Sequence, residues 1–410
     1  MTRLSRRRSA VADVRGGLQL AVDGVLGVTG IVESLHSRIA RVSLPLGNVP
    51  ERPARGIAGL VYRGVRGSAR LVGQGLDAAL AVLPQGVPAD ADDGGLAHEA
   101  VVSALNGVLG DHLLRTGNPL AIEMQLRTRE PLDASNARPH VLLLIHGLCM
   151  NDRQWTRDGH DHGQALSKAL GATAVYARYN SGLHISANGQ EMARRIEELL
   201  ASWPVEAKTL TVIGHSMGGL VARSAVHHAR QAGMAWPDRL RDMFFLGSPH
   251  HGAPLERAGN WLHRGLGISP YAMPFTRLSG LRSEGIGDLR HGNLLDEDWA
   301  GDSRFAQRDR RTPVPLPAGV ACYAVAGTLG RVDGAGTAKT GSVVTVARTA
   351  GENWLGDGLV PLASALGRHP QARRDLHFPP ARTWVGRGIG HLDLLSSPAV
   401  HRQLLRWLAA

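Results

Sequence analysis

From Ile122 onward, short apolar runs alternate with longer stretches whose apolar positions recur every three or four residues. The short runs predict strands at 122–128, 140–146, 173–178, 209–214, 242–247, 319–326 and 382–386. The longer stretches predict helices, among them Gly189 to Trp203 and Met217 to Ala232. Alternation of this kind predicts a mostly parallel sheet covered by helices on both faces. Residues 254–310 break it with Gly, Pro and Arg, and read as an insertion set like a lid over a site.

Residues 1–120 have a different pattern, of helices with breaks. Leu18 to Ile39 and His98 to Arg115 are two of them. The longest runs from Ile57 to Leu83, with Leu60, Val61, Leu71, Val72, Leu76, Ala79 and Leu80 on one face and Arg63, Arg66 and Arg70 largely on the other. Pro84 to Gly95 is a turn or linker. The expected organisation is therefore a helical segment over 1–120 and an α/β domain over 121–410.

Charge sharpens this division. The chain of 410 residues carries a net charge of +11. Residues 1–70 hold twelve arginines against Asp13, Asp23, Glu33 and Glu51, so most of the excess lies there. A basic amphipathic segment fits an anionic or lipid surface, and contact through residues 1–85 is expected. A solvated basic tail is the plainer reading. Aromatics make up 4% of the chain, too few for a stacking platform, and no nucleic-acid partner is expected. Asp13, Arg15 and Asp23 interrupt any export-signal core, and no stretch of 18 uncharged apolar residues occurs. Two cysteines, Cys149 and Cys322, form no disulfide framework. A cytoplasmic protein, at most peripheral to a membrane, is expected.

The chemistry is concentrated in Gly214-His215-Ser216-Met217-Gly218, between a predicted strand and a predicted helix. This is the G-x-S-x-G pattern in the context that gives it meaning. A sharp strand-to-helix turn lifts the serine clear of the sheet, and only glycine fits two residues to either side. Ser216 is the expected nucleophile, with the helix N-terminus favouring developing negative charge. The partners should follow in the order acid, then histidine. His391, in Gly388-Ile389-Gly390-His391, lies after the last predicted strand in a tight turn, ahead of His250, His251, His369 and His377 as general base. Asp357, between Gly356 and Gly358, is the preferred acid, with Asp333 the competitor. The backbone N–H groups of Met217 and of Leu148, in His146-Gly147-Leu148-Cys149, are the expected oxyanion donors.

Together with Gly247-Ser248-Pro249-His250-His251-Gly252 and Arg178-Tyr179-Asn180-Ser181-Gly182-Leu183-His184-Ile185-Ser186, these motifs resemble the α/β-hydrolase superfamily. The resemblance is to its bacterial lipase/esterase group and to inositol-deacylase-type serine hydrolases. It spans about 140–395 and implies ester hydrolysis without a metal or an organic cofactor. A hydrophobic acyl group suits the expected lid. Thioesterase and acyltransferase chemistry stand beside it on the same fold. In another class, the chain is a lipid- or polyester-granule-surface binding protein. Two further features count for less. His160 and His162 resemble metal ligands but lack a third, so no metal site is expected. Cys149, with no base placed for it, reads as a packed thiol. His250 and His251 are expected at the rim of the site.

Overall fold

The computed structural model describes residues 13, 15–22, 93–253, 283–300, 309–329 and 356–409. The expected helix over 57–83, Asp333, and most of the expected lid (254–282 and 301–308) lie outside the described residues. Two compact units are present: 1–95 with 113–121, and 96–112 with 122–410. In the first, residues 15–22 are helical and Asn118 donates to the Gly16 carbonyl at 3.0 Å. The helix α1, Asp93–Arg115, contributes its residues 96–112 to the larger unit.

That unit is built on a sheet of seven strands in the order β1-β5-β2-β6-β7-β8-β9. They are β1 (Gln125–Arg127), β2 (His140–Ile145), β5 (Thr173–Arg178), β6 (Thr209–His215), β7 (Leu240–Leu246), β8 (Ala321–Thr328) and β9 (Thr383–Arg387). All neighbours are parallel except β1, which runs antiparallel to β5 at the edge. A two-stranded hairpin, β3 (Thr156–Arg157) and β4 (His160–Asp161), was not legible in the apolar pattern, because its strands are only two residues long and polar.

The helices α2 (His162–Leu170), α3 (Ile185–Ala201), α4 (Met217–Gln231) and α5 (Pro398–Leu408) cover the sheet. Val141 to Ile145 are wholly buried because β2 is covered on both faces. Leu142 and Leu144 pack with Leu166 of α2 and Leu404 of α5. Alternate residues turn to the other face by the two-residue period of a strand, and there α3 packs on α4. Gly189 permits that approach, since a Cβ there would lie 2.2 Å from Ser224 Oγ. On α1, Gly107 and Gly110 do the same against Cys149 and Asn180, where a Cβ would meet side-chain atoms at 2.2 and 1.8 Å. Truncating a buried residue such as Trp155 costs about 3–5 kcal/mol in cores of this kind.

Of the expected lid, residues 283–300 are tied by hydrogen bonds to the rest of the larger unit. Ser283 Oγ donates to the Gly107 carbonyl at 2.6 Å, and Asp288 Oδ2 accepts from Ile185 N at 2.8 Å.

The connection order places the site. From β2 the chain moves to β5 on one side and then to β6 on the other. A crevice opens at the carboxyl ends of strands where the order reverses in this way. The loop after β2 and the turn after β6 meet there.

Candidate active site

Ser216 follows β6 with φ 53° and ψ −126°, a backbone conformation that costs free energy for any residue but glycine. The turn is held by neighbours, since Ser216 N donates to the Leu246 carbonyl of β7 at 2.8 Å. The flanking glycines are required by contact. A Cβ on Gly214 would lie 2.6 Å from the backbone of Gly219, and one on Gly218 would lie 2.2 Å from the Ile145 carbonyl oxygen. Both obstacles are main chain and cannot move aside. Ser216 is 9% exposed.

His391 and Asp357 come together although 34 residues separate them. His391 Nδ1 lies 2.7 Å from Asp357 Oδ2 in a buried pair, and His391 N donates to the Asp357 carbonyl at 3.0 Å. The other carboxylate oxygen, Oδ1, accepts from Leu359 N at 3.1 Å and Val360 N at 2.9 Å. Gly358 has φ 96°, and a Cβ on Gly356 would lie 1.7 Å from the Val360 carbonyl, so the turn that aims this carboxylate needs both glycines. Because a carboxylate only accepts, the Nδ1 proton belongs to His391 and Nε2 carries the lone pair. Asp357 Oδ2 and His391 Nδ1 also stand 3.0 and 3.1 Å from where a Cβ on Gly247 would be. Ser216 Oγ has no hydrogen bond to His391 among the described residues. Such contacts are often loose before substrate binds.

The loop after β2 abuts the serine, where a Cβ on Gly147 would lie 2.9 Å from Ser216 Cβ. Met217 is the first residue of α4, and Leu148 follows Gly147 in the loop that abuts the serine. Three side chains that sequence reasoning did not single out steady this loop and the histidine. Tyr179 Oη donates to the His146 carbonyl at 2.7 Å and its ring stacks on His146 at 4.3 Å. Ser181 Oγ accepts from Cys149 N at 2.9 Å. His215 Nε2 lies 3.0 Å from the His391 carbonyl, which can only accept, so His215 is the donor. Tyr179 and Ser181 stand in a segment with a recognisable motif, whereas His215 is merely the variable residue of G-x-S-x-G.

Burial sets the charge state of these supporting groups. His146 is pushed down to about 4 by loss of solvent, and His215 is held well below its ordinary value by burial and by the neighbouring His391. Both are neutral at pH 7. Burial pushes the Cys149 thiol far up, and it points to the Ala104 carbonyl at 3.7 Å, as a packed thiol should.

His250 lies deeper than the expected rim. It is buried edge-on to Phe245 and 3.4 Å from Arg223 Nη1. With His251, Arg311 and Arg374 it lines a separate cavity of about 250 Å³ that Ser216, Asp357 and His391 do not touch. His160 and His162 acquire a neighbour the sequence hid: one ring nitrogen each from these two and His401 lie within 4.8 Å of one another.

Residues 138–300, less than half of the chain, match the family described as "PGAP1-like alpha/beta domain". The larger unit has the α/β-hydrolase fold, a mostly parallel sheet covered by helices. No curated protein matches the sequence. Among solved structures, the chain resembles the mature Bacillus licheniformis lipase BlEst2 at 15% identity, covering 69% of this chain and 98% of that one with a TM-score of 0.39. Aspergillus fumigatus lipase B is 13% identical over 70% of this chain and 56% of its own, with a TM-score of 0.38. Phospholipase PlaB from Legionella pneumophila is 16% identical over 67% of this chain and 60% of its own, with a TM-score of 0.41. Among the described residues, no helix is long and apolar enough to cross a membrane.

Proposed function

We propose that this hydrolase cleaves carboxylic esters through an acyl-enzyme on Ser216. The observation that carries the reading is the buried 2.7 Å pair of His391 and Asp357, which leaves His391 Nε2 as a base at the crevice where Ser216 stands on its strained turn. His391 takes the proton as Ser216 Oγ attacks the ester carbonyl, and Asp357 stabilises the imidazolium. Negative charge on the carbonyl oxygen falls to the N–H groups of Leu148 and Met217, each worth about 3 kcal/mol in such sites. His391 then gives the proton to the leaving alcohol, and water activated by the same nitrogen releases the acid. This route needs no cofactor.

The favoured substrate is an ester with a hydrophobic acyl group, presented at a lipid surface that residues 1–85 contact through their excess of arginine. The test is labelling with a fluorophosphonate and turnover of p-nitrophenyl esters of increasing chain length. Ser216→Ala should abolish both while the far-UV circular dichroism stays unchanged. Labelling of the variant at the parent level would remove Ser216 from the reaction.

A further inference from the structure

We propose that His160, His162 and His401 bind a divalent zinc-like metal ion, and that this ion braces the loop that carries His391. The three come from different parts of the chain: the short strand β4, the first residue of α2, and α5. His160 Nε2 is 2.8 Å from His162 Nδ1, and the ring of His401 stacks on that of His162 at 5.8 Å and meets that of His160 at 5.2 Å.

The protons can be placed. His162 Nε2 is 3.0 Å from the Leu394 carbonyl, which only accepts, so the His162 proton is on Nε2 and its Nδ1 offers a lone pair. Without metal, that lone pair accepts from His160 Nε2–H. When a cation binds, the His160 proton moves to that ring's Nδ1, and both facing nitrogens become ligands with no net change in protons. His401 Nδ1 is buried and has no hydrogen-bond partner. A histidine ligand whose second nitrogen donates to a backbone carbonyl is the usual arrangement at metal sites.

The dimensions suit zinc. Two nitrogens bound tetrahedrally to one ion at about 2.0–2.1 Å are roughly 3.4 Å apart. The widest separation here, within 4.8 Å, reaches that spacing by side-chain shifts of about 1–1.5 Å, while the 2.8 Å His160–His162 pair opens slightly. Imidazole ligands suit zinc, copper and nickel, and exclude calcium and magnesium. Asp161, between the two histidines, is no ligand. Its carboxylate is committed to Tyr176 at 2.7 Å, Arg129 at 3.1 Å and the N-terminus of α2 through Gln164 N at 3.1 Å. Three protein ligands leave the fourth position to water.

The consequence lies in Leu394, three residues after His391. A cation fixing the His162 ring fixes the donor to that carbonyl, and joins α2 to α5 around the turn that presents His391. Metal binding itself does not depend on the ester-hydrolase reading.

The experiment loads full-length protein with zinc sulfate, desalts it, and measures bound zinc by mass spectrometry. Parent protein should hold about one zinc per chain, and His160→Ala and His401→Gln should each lose at least about tenfold in affinity, the minimum for damage to such a shell. Cobalt in place of zinc should give the visible absorption of a tetrahedral nitrogen site in the parent alone. If a variant fails to fold, the parent still decides: its thermal midpoint should rise with zinc and fall with a chelator. A parent that retains no zinc, or folded variants that retain as much as the parent, would overturn the site.

Discussion

Asp357 holds His391 at two points, its carboxylate on Nδ1 at 2.7 Å and its carbonyl on the backbone N–H at 3.0 Å. The second bond survives any change confined to the carboxylate. Asp357→Asn should therefore leave the histidine in place and alter only its tautomer. The expected loss in kcat is roughly 10⁴-fold, as for a triad aspartate elsewhere, with little change in melting temperature. A mild effect would transfer the orienting role to another carboxylate, Asp333 first.

Gly218 is held by the sheet. Gly218→Ala would place a methyl 2.2 Å from the Ile145 carbonyl oxygen, so β2 and the elbow must separate. The expected outcome is a loss of about 1–3 kcal/mol in stability and of most activity. Gly233→Ala is a useful contrast. A Cβ there meets nothing within 4 Å, but φ is 66°, so strain without a clash should cost stability and spare turnover. Equal losses of turnover in the two variants would contradict the clash at the elbow.

Tyr179→Phe removes the donor to the His146 carbonyl and leaves that buried oxygen unpaired, a cost of about 1–3 kcal/mol. Since His146 opens the loop that offers Leu148 N–H, kcat should fall more than KM changes. Steady-state kinetics on a soluble ester read this directly. A change in KM alone would place Tyr179 in substrate binding instead.

Acid should destabilise the larger unit through its buried neutral histidines. His146 titrates near 4 in the folded state against 6.5 unfolded, and His215 is also depressed. Between these values the unfolded chain binds protons that the folded one does not. The stability they contribute is therefore complete above about pH 6.5 and is lost as pH falls toward 4. Urea midpoints should decline from pH 7 to pH 5. A flat profile over that range would mean these rings protonate in place.

Binding of the full chain to anionic vesicles should weaken with salt, because attraction between arginine and anionic headgroups at a water-exposed membrane surface is screened. Substituting Arg3, Arg6, Arg7 and Arg8 by Gln should reduce it at low salt. Truncation is the poorer test, since removing residues up to 120 would also remove 96–112, which belong to the larger unit. Sedimentation unaffected by both salt and substitution would leave the basic segment without a role at anionic surfaces.

What the sequence determined by itself is what local chemistry determines. Strands such as His140–Ile145 and Leu240–Leu246 are legible because a strand buried on both faces must be apolar at nearly every position. Gly214 and Gly218 are legible because a sharp turn admits no Cβ. Asp357 could be preferred over Asp333 on its glycines alone, since that turn is also local. The tertiary structure decided the rest. His215 supports His391 across 176 residues, and Tyr179 supports His146 across 33. His401 joins His160 and His162 only because α5 returns to pack on α2. Nothing in the neighbourhood of a single histidine records which other histidine will stand beside it. That is fixed by the order in which parallel strands are laid into the sheet, and the order is chosen by the burial of the whole core.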